Sequence, residues 1–513
     1  MGGLPFRNSS RYLTAAQAAG VFCLFAATLV LFWNGVGAND SDKYVRIALR
    51  WLENGPVLGE SHWSLRMPII APLAASFAAF GVSEFISTLP NIFYAAALVA
   101  VTFFFGRRHL GPNAGAAAAA LVAASAFFVV AQSELTIVGP EILLGALACW
   151  LFIDGVGERL DLRRLAAAGF VAGLAWLCRE IVVYLPLTFG LILMARRPIP
   201  FRAIIVVGAA FALIILIELG VYGLIAGDPF YRLDTDFGHR GEAGFYDLPD
   251  DAPKHPLLAR LGLPLSYLVS APAVTPFVAV AIALFLFRDF RATVFARAWR
   301  PASIAFGVGG AMAFLISAYL ANLKFPDYYP MLTYAAFIAM GAFAGRLFDR
   351  ARPRAGMAFL AAVVGLNAAA ADFRRYDEYA EPRFLARFLV AAGEPIVTDP
   401  ATAARTRLFL RFHGLDIARA EALALSSREF EPARYCGLIY VATPSGARRG
   451  IEPQADWRLL WTQDVRKRRL TIELIRALIP GELSYRMKDR LKIASPVALY
   501  RPSACNRSAE TPK

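Results

Sequence analysis

The chain has 513 residues, of which 58% are apolar and only 18% charged, with a formal net charge of +14 at pH 7. That balance excludes an ordinary soluble fold, in which about a quarter of residues are charged, and a bilayer is the solvent it fits. The positive charge is poor evidence for nucleic acid, because the basic residues lie between apolar blocks rather than on one basic face.

The apolar blocks approach the roughly 20 residues needed to cross about 30 Å of hydrocarbon. They predict about eleven spans, near 14–33, 84–106, 114–131, 138–153, 165–178, 181–195, 203–226, 263–287, 302–321, 328–346 and 355–371. The short runs flanking Arg179-Glu180 are also readable as one broken helix or a re-entrant pair, and a different count there would invert everything after it. Arginine and lysine near span ends are retained in the cytoplasm. Arg7, Arg11, Arg107, Arg108, Arg159, Arg163, Arg164, Arg196, Arg197, Arg202, Arg288, Arg291, Arg297, Arg300, Arg346, Arg350, Arg352 and Arg354 all fall on one side of this count. Asp40, Asp42, Glu53, Glu60, Glu134, Asp228, Asp234, Asp236, Asp247, Asp250 and Asp251 fall on the other. The expected N-terminus is therefore cytoplasmic, and the first span reads as a retained anchor, since no small-residue cleavage site precedes the loop at Asn34. Cys23, Cys149 and Cys178 lie in spans as packing residues, while Cys436 and Cys505 share the oxidising face, where a disulfide is chemically allowed.

The chain divides into a membrane part, 1–371, and a water-facing part, 372–513. In the first outer loop, 34–83, Asp42 to Asn54 reads as an amphipathic helix with Tyr44, Ile47, Ala48 and Trp51 on one face and Lys43, Arg46 and Arg50 on the other. Gly55-Pro56 ends it. Pro68 to Phe80 is too short to span and opens with proline, which predicts a helix lying at the membrane surface. The second long outer loop, 227–262, is rich in Asp, Pro, Gly, His and Tyr and exceeds a simple connector. Beyond Ala371, short apolar runs such as Pro395 to Thr398 and Gly437 to Val441 alternate with helical stretches such as Phe384 to Ala392 and Thr402 to Phe412, predicting a small α/β domain. The sequence shows no internal repeat, phosphate-binding glycine loop or zinc spacing, so nothing points to ATP-driven transport.

An acid at the membrane interface is a functional hypothesis by default, although most outer-loop acids only keep a loop wet. Asp40 stands out, because Asn39-Asp40-Ser41-Asp42-Lys43-Tyr44 places it between the first span and a rigid helix. Asp42 reads as the helix N-cap, which leaves Asp40 free for another role.

The stretch from Asp40 to Phe152 resembles the first modules of GT-C membrane glycosyltransferases, which include protein O-mannosyltransferases, lipid A aminoarabinose transferases and rhizobial galacturonosyltransferases. Their Asp-Glu-x-x-Tyr pattern appears as Asp40-Ser41-Asp42-Lys43-Tyr44, and their Lys-Pro-Pro-Leu segment as Arg66-Met67-Pro68-Ile69. Their Pro-Asp-x-Leu-Leu is represented by Pro140-Glu141-Ile142-Leu143-Leu144. Lys324-Phe325-Pro326-Asp327-Tyr328-Tyr329-Pro330 is similar to the basic-Tyr-x-x-Pro segment before a late span. Ser41 replaces the second acid, Arg66 replaces lysine, and Leu65 stands where aminoarabinose transferases carry a metal-binding glutamate, which puts a divalent metal in doubt.

The resemblance implies an α-helical polytopic fold and a bacterial inner-membrane enzyme. It would transfer a sugar from a polyprenyl-phosphate donor to an envelope glycolipid, polysaccharide or protein at the periplasmic face, with inversion and without nucleic acid. In that chemistry Asp40 is the base that takes the acceptor proton, and a carboxylate there also stabilises an oxocarbenium-like transition state. Arg66 meets the departing lipid phosphate with a bidentate contact that lysine cannot make, against the alternative of a residue snorkelling to headgroups. Asp42, Tyr44, Glu141, His239, Arg240, His255 and Lys324 are supporting or substrate-binding candidates. Trp51, Trp63, Tyr231 and Tyr246 could stack on a sugar or belong to the interfacial belt, and Arg466-Lys467-Arg468-Arg469 reads as a solvated face. The rival class is a lipid-linked sugar flippase or solute transporter. It would need ionisable groups near the midplane, and Glu218 is the notable one. A non-catalytic envelope scaffold, in which Asp40 would be dispensable, is the third.

Overall fold

The structure is a computed structural model. It describes residues 6–37, 40–59, 61–130, 132–157, 159–242, 265, 268, 269, 271, 273–288, 290, 291, 300–321, 323, 325–374, 379–426, 438–442, 457–464 and 496–501. The first long apolar block forms α1 (Phe6–Phe32), and the first loop carries α2 (Ser41–Asn54) and α3 (Met67–Phe80). The bundle continues through α4 (Glu84–Leu110), α5 (Pro112–Ala123), α6 (Val138–Gly155), α7 (Leu162–Trp176), α8 (Tyr184–Met194) and α9 (Phe201–Ile225). After α10 (Tyr231–Glu242) come α11 (Thr275–Leu284), α12 (Arg300–Leu315), α13 (Pro330–Asp349) and α14 (Pro353–Arg374). All eleven predicted apolar blocks contain helix. Among the described residues, seven helices are long and apolar enough to cross a membrane, and four apolar ones are shorter.

The two ends of the bundle are fastened by different groups. At one end Arg107 donates to Thr14 Oγ1 at 2.7 Å and also to Gln17, while Asn113 donates to Asp349 at 2.8 Å. The buried Asp154 draws in Arg108 at 3.1 Å, His109 at 2.6 Å and Arg164 at 3.2 Å. Between the ends, close packing depends on small residues, as it does where lipid gives helices no hydrophobic reason to associate. Gly341 and Gly345 on α13 lie against the backbones of Ala118 and Ala114 on α5, where any Cβ would overlap main-chain atoms.

Beyond α14, α15 (Ala380–Ala392), α16 (Pro400–Phe412) and α17 (Ile417–Leu423) pack with β1 (Ile396–Thr398), β2 (Ala424–Ser426), β3 (Ile439–Ala442), β4 (Arg458–Asp464) and β5 (Pro496–Arg501). The sheet order is β2-β1-β3-β5-β4. Strand β1 is parallel to β2 and β3, with Ile396 opposite Ala424 and Ile439, and β5 is antiparallel to β3 and β4. Asp399 caps α16 by accepting from the amides of Ala401 and Thr402 at 3.2 and 3.1 Å.

This C-terminal unit shares one apolar core with α2 and α3: Tyr44, Val45, Ala48, Ile69 and Leu73 meet Tyr379, Leu385, Leu408 and Phe409. Arg383 locks the joint by pairing with Glu84 at 2.5 Å and donating to the carbonyls of Asn34 and Val36 at 3.2 and 3.1 Å. Helix α2 begins one residue earlier than its charge pattern predicts. Asp40, not Asp42, occupies the N-cap position, and Asp42 is buried in the first turn, where Arg46 pairs with it at 2.7 Å and Tyr379 donates to it at 3.2 Å. The helix starts there because Ser41 donates from its hydroxyl to the backbone carbonyls of Glu134 and Leu135, fixing the turn from inside.

Candidate active site

At the other end of the bundle, α1 leads through Asn34 into α2. Asn34 donates to Glu134 Oε1 at 2.8 Å, so the approach to α2 is fixed on the segment that precedes α6. Asp40 follows with backbone angles φ −97° and ψ −11° and no side-chain capping bond. Its carboxylate is 44% exposed and is paired with Lys43 at 3.3 Å. The Lys43 ammonium in turn sits 3.1 Å from the centroid of the Trp63 ring, a cation–π contact that holds it close to Asp40.

One turn into α2, Tyr44 is only 1% exposed and accepts a 2.5 Å hydrogen bond from Arg66 Nη1. Burial pushes the Tyr44 phenol up, with Arg66 partly opposing, so it remains a neutral hydroxyl. Burial works against the Arg66 charge, but Tyr44, Asp40 and Glu180 outweigh it and the guanidinium is held more firmly protonated than usual. Arg66 therefore reaches inward onto α2. The chain around it is braced from three sides: Tyr94 donates to the carbonyl of Pro68 at 2.6 Å, Tyr222 to that of Leu65 at 3.5 Å and Tyr231 to that of Gly59 at 3.3 Å.

Glu141, in the first turn of α6, is 1% exposed and paired with Arg179 at 3.0 Å. Arg179 also donates to the Asp327 carbonyl at 2.5 Å and lies 4.7 Å over the Tyr328 ring. Glu141 Oε1 and Arg179 Nε are both buried without a hydrogen-bond partner among the described residues, so the pair keeps unused acceptor and donor capacity. Beside it, the almost fully buried Arg232 bonds to Glu218 and Glu180, donates to the Trp176 carbonyl at 2.9 Å and lies 3.7 Å from Asp236. Burial and a hydrogen bond shared with Glu180 push the Asp236 carboxyl up to about 8.

Of the residues singled out in the sequence, Asp40, Tyr44 and Arg66 thus fall into one electrostatic group. Asp42 is taken up in joining α2 to the C-terminal unit, and Glu141 is held by Arg179. His255 and Lys324 lie outside the described residues, as do the side chains of His239 and Arg240, the run 466–469, Cys436 and Cys505. Arg179, Arg232, Glu180 and Asp236 complete the polar floor. Their sequence signal was the charged break between two short apolar runs and an acid-rich loop. Among the described residues, no three His, Cys, Asp or Glu side chains gather as a metal site.

This arrangement, a helical bundle capped at one end by a two-helix loop and an α/β unit, is the fold of the solved ArnT structures compared below, and its long apolar helices make the chain a multi-pass membrane protein. The family model described as dolichyl-phosphate-mannose-protein mannosyltransferase matches residues 67–221. At the level of sequence, no curated protein gives a significant match. ArnT from Cupriavidus metallidurans bound to undecaprenyl phosphate superposes with a TM-score of 0.57 at 12% identity, covering 97% of this chain and 99% of that one. Its apo state gives 0.52 at 12% identity, over 97% and 100% of the two chains. The oligosaccharyltransferase AglB from Archaeoglobus fulgidus, in complex with an inhibitory peptide and a dolichol-phosphate, gives 0.51 at 11% identity over 81% of this chain and 64% of that one.

Proposed function

We propose that the protein is an inverting glycosyltransferase of the bacterial inner membrane, moving a sugar from a polyprenyl-phosphate donor to a hydroxyl of an envelope glycolipid, polysaccharide or protein at the periplasmic face. The observation that carries this reading is the half-exposed carboxylate of Asp40 in one electrostatic group with the half-buried, Tyr44-held guanidinium of Arg66. A base accessible to an acceptor and a cation fixed for a departing phosphate are the two groups this transfer requires.

In the step, the acceptor oxygen bonds to the anomeric carbon as the bond from that carbon to the phosphate oxygen breaks. The hydroxyl proton passes to Asp40, and the negative charge left on the lipid phosphate is met by Arg66. The partial match to a mannosyltransferase family supports transfer from a lipid-phosphate sugar, as do the undecaprenyl phosphate of the ArnT structure and the dolichol-phosphate of the AglB structure. Residues 1–371 form the catalytic membrane domain in this reading, and 372–513 the periplasmic one.

The transporter alternative would draw on Glu218, which here is bonded to Arg232 and Trp176. The direct test is Asp40→Asn in membranes supplied with a polyprenyl-phosphate sugar. Loss of a base should lower transfer by roughly 10²- to 10⁴-fold with the protein still folded. Undiminished product would remove Asp40 from the chemistry.

A further inference from the structure

Helix α2 has a polar surface distinct from the apolar face that carries Tyr44. Asp42, Arg46, Arg50 and Glu53 recur at helical spacing along one stripe. Helices α16 and α17 face this stripe across an open cleft of about 290 Å³, whose charged walls are Arg46, Arg50, Glu53, Arg407, Arg411 and Glu421 over a floor of leucine, isoleucine and alanine. Four guanidinium groups thus face two carboxylates.

Three of the arginines are partly engaged. Arg46 pairs with Asp42 at 2.7 Å, Arg407 donates from Nε to the Ala424 carbonyl at 2.8 Å, and Arg411 pairs with Glu53 at 2.9 Å. Arg50 is exposed and makes no ion pair or hydrogen bond with any described residue. A guanidinium carries five N–H donors, so the cleft holds more donors and more positive charge than its own walls satisfy. Planar guanidinium forks match carboxylate and phosphate oxygens, and an oxyanion in this position would relieve the repulsion among them.

The position of the cleft narrows the occupant. Among the described residues its lining comes from α2, α16 and α17, with none from a membrane-crossing helix, which favours an anion carried in water over a lipid headgroup. The apolar floor suits the C–H face of a sugar ring. Ten residues of α2 separate Asp40 from Arg50, about 15 Å of helix, a length that a short oligosaccharide bridges. We propose that this cleft binds an oxyanion-bearing saccharide, carrying a carboxylate or a phosphate, as part of the acceptor glycan. The acceptor role rests on the transferase reading above. The binding of anionic sugar does not.

The test measures binding to the full chain in nanodiscs of zwitterionic lipid, with no donor present. The probes are trigalacturonate, a phosphorylated glucosamine disaccharide and neutral maltotriose. We expect one or both anionic probes to bind, which identifies the oxyanion, and maltotriose to bind far less. Arg50→Glu, a change at an exposed side chain, should weaken anionic binding about tenfold or more. Ala404→Phe should weaken it by filling the cleft without altering charge. Both variants should unfold at the wild-type temperature, and Asp40→Asn should bind as the wild type does, which separates this inference from the catalytic one. Equal affinity for maltotriose, binding unaffected by either cleft variant, or displacement of the probes by anionic lipid added to the nanodiscs would each overturn it.

Discussion

Arg66 reaches from the N-cap of α3 to the Tyr44 hydroxyl on α2 over 2.5 Å, so the proposed phosphate-binding cation is set by the partner helix and not by the headgroup layer. Arg66→Ala should raise the KM for a lipid-linked donor more than tenfold while leaving the acceptor KM nearly unchanged. Tyr44→Phe keeps the cation but loses its fixed orientation, and a hydrogen bond to a charged group contributes about 1.5–3 kcal/mol. Its donor KM should rise less than that of Arg66→Ala. Steady-state kinetics with donor and acceptor varied separately would show the difference, and equal loss against both substrates would leave Arg66 with only a structural role.

Asp236 gives the site a pH dependence whose sign follows from its environment. Its carboxyl is raised to about 8 by burial and by Glu180, with Arg232 opposing, whereas in the unfolded chain it titrates near 4. Between those values the folded protein binds more protons than the unfolded one, so this group's contribution to stability is full below about pH 4 and declines as pH rises toward 8. Thermal unfolding in detergent should show a midpoint that falls from pH 5 to pH 8.5. Asp236→Asn should flatten that slope, and an unchanged slope would mean that Asp236 is ionised throughout.

How much of this site can be read from the sequence depends on how local each interaction is. Asp40, Tyr44 and Arg66 stand within one short loop, and the spacing of Asp40-Ser41-Asp42-Lys43-Tyr44 already places the acid at the head of an amphipathic helix. The assignment of Asp42 as the N-cap failed for the opposite reason. Its partner Tyr379 lies 337 residues downstream, and the turn that starts α2 is fixed by carbonyls 93 and 94 residues away. The same limit hides Arg179, whose partners Glu141 and Asp327 are 38 and 148 residues distant. In sequence it is one charge in a break between apolar runs, and only the folded bundle shows what that break holds.

The contact between α5 and α13 tests the membrane packing. A Cβ on Gly341 would enter the backbone of Ala118, and one on Gly345 would enter that of Ala114. Main chain cannot give way as a flexible side chain would, so the helices must separate. Gly345→Leu should therefore destabilise the bundle by several kcal/mol, with overpacking typically costing about 1–3 kcal/mol even where side chains can move. Size-exclusion profiles and thermal unfolding of the purified variant would register this, and a wild-type profile would show that the two helices are not in such close contact.

The joint between the membrane part and the C-terminal unit rests on Arg383, which satisfies Glu84 and two backbone carbonyls at once. Removing one partner of such a pair leaves a half-buried charge without compensation, a loss of about 3–5 kcal/mol in fully buried cases and less here, where Glu84 is 20% exposed. Arg383→Ala should speed limited proteolysis between the two parts well before global unfolding. Glu84→Gln combined with Arg383→Met should be milder than Arg383→Ala alone, since it removes both charges. If proteolysis of Arg383→Ala matched the wild type, the shared apolar core would suffice to hold the joint.

Glu141 and Arg179 present the same logic inside the bundle, with one addition. Each keeps a buried atom without a partner among the described residues, Oε1 on the glutamate and Nε on the arginine, so the pair has capacity left over. Breaking it by Arg179→Met leaves a buried carboxylate alone and should prevent the protein from accumulating in the membrane. Glu141→Gln with Arg179→Met removes both charges and should restore accumulation. If the pair serves only the fold, that double variant will transfer sugar at close to the wild-type rate. If the unused Oε1 and Nε take part in holding a substrate, the double variant will fold and yet lose transfer by more than tenfold. Measuring product per folded enzyme in the double variant decides between the two, because folding and transfer are then read from the same preparation.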